Sequence, residues 1–263
     1  MKPTHQIMEC QPNSRAKGCG CSAQEIHQPF PPRSTKLGKN MNRSLAQFKR
    51  ISLKKDGEVY AYLLTTIRRT AKNGLRQEGS APNFQGNCIT LCTCKHRMRT
   101  WRDQSDWKKG VWIAGLTNLG TVKPEYGLFY LMRVGDAFES HFDLWNARYS
   151  LKDEYGMTLQ AKVAHRHFLG DIFFPKSSPL LGRDRFLPEN YLRPKEEGHS
   201  HSQRRNPNQW HKDVRRAYLL VGDPKLSFIW DKPELRLKKD RHARTKKYRS
   251  VAEFLEAFKS LKS

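Results

Sequence analysis

The stretch from Gly127 to Val134 reads GLFYLMRV, eight residues in which only Gly127 and Arg133 are not apolar. A run this short and this dense is the pattern of a strand buried on both faces. It falls far short of the roughly 20 apolar residues that span a bilayer. Upstream, Gly110 to Leu116 (GVWIAGL) and Cys88 to Cys94 have the same character, and three such runs in sequence predict a meander. Further upstream, Val59 to Ile67 (VYAYLLTTI) is rich in aromatic and β-branched residues and reads as another strand. Between the two, Arg68 to Gly86 holds Gly74, Gly79, Pro82 and Gly86 and reads as a long loop.

Downstream, Ser140 is followed three residues later by Asp143, with Phe138, Phe142, Trp145 and Tyr149 at helical spacing, so a helix is predicted there. From Ser150 to Pro194 the pattern weakens to one compact apolar segment, Phe168 to Phe174, and Lys195 to Lys212 is polar and His-rich. Ala217 to Val221 and Ser227 to Trp230, separated by Gly222-Asp223-Pro224, read as a hairpin-like pair. At the end, Ser250 and Glu253 have capping-box spacing, and Val251, Phe254, Leu255, Phe258 and Leu261 form one helical stripe. The predicted class is α+β: a mainly antiparallel sheet or partly closed barrel, PUA-like by analogy, with flanking helices and a C-terminal helix.

The chain has 263 residues and a net charge of +24, from 49 Lys and Arg against 25 Asp and Glu. The charge is concentrated at the ends, +8 over residues 1–57 and +10 over 193–263, against +6 for the longer middle. The apolar share, 37%, is low, but 13 Phe, 9 Tyr and 6 Trp can fill a core. Residues 1–57, with Pro31-Pro32 and little apolar periodicity apart from a short amphipathic stretch at Ser44 to Ile51, read as a basic, disordered arm before a single domain over 58–263. The first residues lack an apolar signal core and the cysteines lack an export context, so the expectation is a cytoplasmic protein with reduced thiols and no membrane partner.

Three groupings could carry chemistry. Cys88, Cys92, Cys94 and His96, with Cys10, Cys19 and Cys21 in the arm, are either ligands of a structural zinc or small buried thiols; the spacing departs from the usual Cys-x2-4-Cys knuckle, and no other cofactor is indicated. The run Arg236 to Arg249 has eight Lys or Arg in fourteen residues. It is either a solvated face or a phosphate-binding one, with Lys238, Lys239, Lys246 and Lys247 as the contacts. His199-Ser200-His201-Ser202, with Asp171, His165 and His167, offers imidazoles and a carboxylate for acid–base work or contacts to a substrate. Walker, Gly-x-Gly-x-x-Gly, Gly-x-Ser-x-Gly and His-Glu-x-x-His motifs do not occur, which removes the support for the familiar nucleotidase, hydrolase and zincin classes.

The order of short motifs resembles the nucleotide modification associated domain 2 family of bacteria and phages. The matching pieces are Tyr60 to Leu64, Ala81-Pro82-Asn83-Phe84, Thr90-Leu91, Cys94-Lys95 with Arg99, and Trp112 to Gly115. They continue with Leu128 to Val134, Phe142 to Trp145 with Asn146 and Arg148, Gly170 to Phe173, His199-Ser200, Asn206-Pro207, Asp213, Leu219 to Val221 and Phe228 to Trp230. The resemblance covers about residues 58–260. It departs at Gly110-Val111-Trp112, where the family pattern has Gly-Asp-Trp.

The resemblance implies a setting in nucleotide modification, and so a nucleic-acid or modified-nucleotide binding domain. An enzyme acting on a modified base, with Asp171 and His199 as acid and base, and a basic RNA-binding structural protein are the alternatives. On the binding reading, Phe84, Trp112, Tyr130 and Trp145 would stack on a base, Asn83, Asp171, His199 and Ser200 would contact its edge or backbone, and Lys95, Arg97 and Arg99 would meet phosphate.

Overall fold

The structure, a computed structural model, describes residues 44–52, 55–65, 67–69, 75–77, 82–120, 123–155, 157, 162–166, 169–193, 209–215, 217–238 and 245–261. Helix α1 (Leu45–Ser52) is followed by β1 (Val59–Leu63), a small hairpin of β2 (Ile67–Arg69) and β3 (Leu75–Gln77), and the short β4 (Thr90–Leu91). One-turn helices α2 (His96–Arg99) and α3 (Gln104–Trp107) lead to β5 (Trp112–Asn118) and the long β6 (Tyr126–Phe138). Then come α4 (His141–Tyr155), α5 (Gln209–Val214), β7 (Leu219–Ile229), β8 (Leu235–Leu237), β9 (Thr245–Tyr248), α6 (Val251–Glu256) and β10 (Phe258–Ser260). No helix among the described residues is long and apolar enough to cross a membrane.

Eight strands form one mixed sheet in the order β10-β8-β6-β5-β1-β9, with β7 also on β6 and β4 on β7. Strand β6 is the spine: its thirteen residues pair with β5 along one edge and with β7 and β8 along the other. The sheet is α+β in class and antiparallel except for β1 beside β5, where Val59 faces Trp112 and Leu63 faces Leu116.

Both faces of this sheet are covered, as the unbroken apolar runs require. In β1 the period of two sends Tyr60 and Tyr62 to one face and Val59 and Ala61 to the other. The first face packs with Phe84, Leu91, Met98 and Trp107. The second packs with Phe48, Phe228, Trp230, Val251 and Phe254. Phe48 is fully buried, its ring 5.0 Å from Phe228 and 5.5 Å from Trp230. Helix α1, assigned on sequence to the arm, is therefore part of the folded body. A reciprocal box holds its start, with Ser44 Oγ accepting from the Gln47 amide at 3.2 Å and Gln47 Oε1 from the Ser44 amide at 3.0 Å. The rest of the arm, residues 1–43, lies outside the described residues.

Four expectations about elements change. The predicted meander reduces to β5 and β6, because β4 pairs with β7 rather than with β5. The predicted loop over 68–86 contains the β2–β3 hairpin. The pair at 217–230 is one strand, not a hairpin: Gly222 pairs with Val134 and Ser227 with Met132, and residues 223–226 form a bulge between them. Pro224 is tolerated there because a bulge asks no ladder donor of it, and Asp223 closes the turn by accepting from the Lys225 amide at 2.8 Å. The C-terminal helix ends at Glu256. Phe258 instead enters β10, since the free edge of β8 supplies partners for the backbone there, with the Lys238 amide on the Ala257 carbonyl and the Leu261 amide on the Glu234 carbonyl, both at 2.8 Å. Its start is as expected, with Ser250 Oγ accepting from the Glu253 amide at 3.0 Å.

Candidate functional site

Three arrangements of polar groups stand out, one interior, one on the surface and one lining a cavity. The interior one joins residues 162–172 to the loop before β4. The Lys162 carbonyl accepts from the Asp171 and Ile172 amides, each at 2.9 Å, which brings two residues nine apart side by side. Gly170 permits this approach: a Cβ there would lie 2.4 Å from the Val163 carbonyl carbon.

Both side chains are fully buried. Lys162 Nζ donates to Asn83 Oδ1 at 3.2 Å, to the Cys88 carbonyl at 3.0 Å and to Thr90 Oγ1 at 3.2 Å. Thr90 Oγ1 donates in turn to Asp171 Oδ1 at 2.9 Å, and the Cys92 amide donates to Asp171 Oδ2 at 3.1 Å. Asn83 Nδ2 donates to the Leu169 carbonyl at 2.7 Å. The ammonium and the carboxylate thus share one hydroxyl and close a polar clip inside an apolar shell.

Burial pushes the Asp171 carboxyl up to about 6, against the downward pull of Lys162 and the bonds from Thr90 and Cys92. An unfolded aspartate titrates near 4, so the native state holds this proton more tightly. The contribution is fully present below about pH 4 and is lost as pH rises through 6. Stability measured by urea titration from pH 4 to 7 is expected to fall, relative to an Asp171→Asn variant, by roughly 1–3 kcal/mol. Parallel profiles would mean that Asp171 takes up its proton in the fold no more readily than in the unfolded chain.

The surface arrangement centres on Trp101, the one tryptophan among the described residues that is strongly exposed (47%). Its ring lies 5.8 Å from Tyr60. Arg102 donates to Tyr60 Oη at 2.9 Å, and its guanidinium lies 5.6 Å from that ring. Glu58 pairs with Arg102 and, at 2.5 Å, with Lys247 on the edge strand β9. Lys247 lies 5.9 Å from the Tyr60 ring, so an indole stands at one end of a short band of cations running to the sheet edge, while Lys246, next along β9, turns to the other face with its ammonium 4.6 Å over the Tyr248 ring.

The cavity, about 570 Å3, adjoins this band, with Thr100 and Asp103 of its lining flanking Trp101 and Arg102 in the chain. Asp103, Glu139, Arg183, Arg185, Phe186 and Tyr218 line it. Arg185 Nη1 donates to both oxygens of Asp143, at 3.0 and 2.8 Å, and the guanidinium lies 3.6 Å from Glu139. Two lining residues, Ala217 and Tyr218, are held from the core by Arg99, whose Nη1 donates to their carbonyls at 3.1 and 2.6 Å and whose Nε donates to the Cys94 carbonyl at 2.8 Å.

The residues singled out from sequence separate in this frame. Asp171 and Asn83 meet in the interior clip. Phe84, Trp112 and Tyr130 are core side chains with no face open to a ligand: Trp112 donates to the Lys55 carbonyl, and Tyr130 shares a 2.8 Å bond with Tyr62. Arg99, assigned to phosphate, is fully buried and serves backbone carbonyls instead. Trp145 is half-buried, with Phe174 at 4.5 Å and the Arg148 guanidinium 3.8 Å over its ring.

Lys95, at φ 58°, places its ammonium 4.7 Å over the Tyr62 ring, and Arg97, Lys238, Lys246 and Lys247 are exposed. His199, Ser200, Lys239, Cys10, Cys19 and Cys21 lie outside the described residues. Cys88 and Cys92 are buried and burial raises both thiols; Cys94 is pushed up to about 12, also by burial, while His96 is lowered, first by burial and then by Arg99. No set of three His, Cys, Asp or Glu that could hold a metal occurs among the described residues.

Sequence reading passed over Trp101, Lys162 and the cavity. For Trp101 the signal was present, in the alternation of cations with one aromatic in Arg97-Met98-Arg99-Thr100-Trp101-Arg102. No protein-family model, curated protein or solved structure matches the chain.

Proposed function

We propose that this protein is a nucleic-acid or modified-nucleotide binding domain that acts in the cytoplasm in association with DNA base modification, as a divergent member of the nucleotide modification associated domain 2 family. The observation that supports this reading is Trp101, exposed at 47% and set beside cations that run through Arg102 to Lys247 at the sheet edge. An indole offers a stacking face that accepts any base, and neighbouring cations supply phosphate affinity by releasing counterions. A net charge of +24 adds long-range attraction for a polyanion. The curled sheet is compatible with a partly closed PUA-like barrel, an analogy of shape that carries no function by itself. Acid–base catalysis through Asp171 is not part of the proposal, because that carboxyl has no open face.

The test is fluorescence anisotropy of the full chain with matched plain and base-modified oligonucleotides across a salt series. A preference for the modified base that persists at high salt supports the reading. Equal affinity that collapses with salt reduces the protein to a charge-driven RNA- or DNA-binding body, and no binding at low salt removes the reading altogether. In the same series, Lys246→Ala with Lys247→Ala is expected to lower the log–log salt slope by about 0.9 for each B-DNA phosphate that is no longer neutralised. An unchanged slope would take β9 out of the interface.

A further inference from the structure

We infer that the cavity beside Thr100 takes a nucleoside 5′-monophosphate unit whose base edge donates hydrogen bonds, guanine foremost. This deepens the nucleotide reading above and rests on it. The volume, about 570 Å3, falls in the range of pockets that enclose small ligands. Its lining carries two aromatic rings, Phe186 and Tyr218, which suit a flat heterocycle.

The charges of the lining narrow the choice. Arg185 is already engaged by Asp143 and Glu139. Arg183 and Asp103 are the two left over. Arg183 has no ion-pair partner among the described residues, and the Asp103 carboxylate, at the start of α3, makes no capping bond. One cation and one carboxylate, both facing a cavity with aromatic walls, complement a ligand that is anionic at one end, flat in the middle and a hydrogen-bond donor at the other. A carboxylate accepts best from two adjacent N–H groups, and among the common bases guanine presents them.

The interior supports the same placement. The buried Arg99 guanidinium anchors the carbonyls of Ala217 and Tyr218 from behind, so the wall carrying the Tyr218 ring is held from the core. Gly182, at φ +51° and with nothing within 4 Å of an added Cβ, leaves its part of the lining open.

The experiment is calorimetric titration of the full chain with GMP, with IMP, which lacks only the exocyclic amine, and with guanosine, which lacks the phosphate. Expected results are a preference for GMP over IMP of about tenfold, abolished in Asp103→Asn, and a loss of roughly tenfold for GMP but not for guanosine in Arg183→Ala. Both side chains are exposed, so neither variant puts the fold at stake. A parallel arm compares an oligo-dT carrying a single guanine with plain oligo-dT: a gain for the guanine that Asp103→Asn removes assigns the pocket to a base in a strand, and a gain for GMP alone assigns it to free nucleotide.

Equal binding of GMP and IMP, or a preference that survives Asp103→Asn, overturns the proposal. Failure of every mononucleotide and of the guanine arm, with the oligonucleotides still bound, removes the cavity and leaves the nucleic-acid reading standing. Failure of the oligonucleotides as well removes both.

Discussion

Lys162→Met is expected to destabilise the protein by about 3–5 kcal/mol, the usual cost of removing one partner from a buried charged pair. The ammonium satisfies Asn83 Oδ1, the Cys88 carbonyl and Thr90 Oγ1, and an apolar side chain in its place donates to none of them. Asp171 would then keep only Thr90 and Cys92 as partners with no cation nearby to offset its burial. For a folded body of this size the loss corresponds to a fall in melting temperature of roughly 6–20 °C, readable by thermal or urea unfolding. The double variant Lys162→Met with Asp171→Leu is expected to recover part of the loss, because replacing both charges removes the penalty of leaving one unpaired. A single variant within about 1 kcal/mol of wild type would show that the ammonium reaches water in solution.

Trp101→Ala carries the second large effect, on binding rather than on stability. Removal of one stacking platform is expected to weaken single-stranded DNA binding by about 1–3 kcal/mol, roughly 5- to 150-fold. The indole is half in solvent and meets the Tyr60 ring at a tilt of 47°, so unfolding should change by less than about 1 kcal/mol. The salt slope should stay as in wild type, since every phosphate keeps its cation. That pattern, weaker affinity at constant slope, is opposite to the one expected for Lys246 and Lys247, where the slope itself falls. If Trp101→Ala binds single strands as tightly as wild type at every salt concentration, stacking has no part in recognition and the cationic band acts alone.

How far the site was legible follows from what each side chain answers to. The alternation in β1 separates Tyr60 and Tyr62 from Val59 and Ala61 by local geometry alone, and the structure keeps that division on its two faces. The roles of Trp101 and Trp112 could not be separated that way. Both are tryptophans near cations in sequence, yet one is exposed and the other fully buried with its indole N–H on the Lys55 carbonyl. Exposure depends on which distant segment covers a ring, here Phe228 over Trp112 at 6.3 Å, and no window of sequence contains both. Lys162 is a sharper case. A lone lysine reads as surface, because a buried ammonium needs several acceptors at once. Those acceptors come from residues 83–90, more than seventy positions earlier in the chain.

What local chemistry controls was therefore readable from the chain alone: the apolar runs that become β1, β5 and β6, the break at Gly222-Asp223-Pro224, the Ser250 cap, and the excess of positive charge. These answer to backbone preference and to the period of side chains along one element. Pairing and enclosure were settled only in three dimensions. Folding set β4 against β7, turned an expected hairpin into one bulged strand on β6, drew Phe258 out of the helix onto β8, and brought Lys162 to Asp171 through Thr90. Strand partners and buried charges are chosen by contacts between residues far apart in the chain, where each group takes the partner that leaves the fewest polar atoms unsatisfied in the interior.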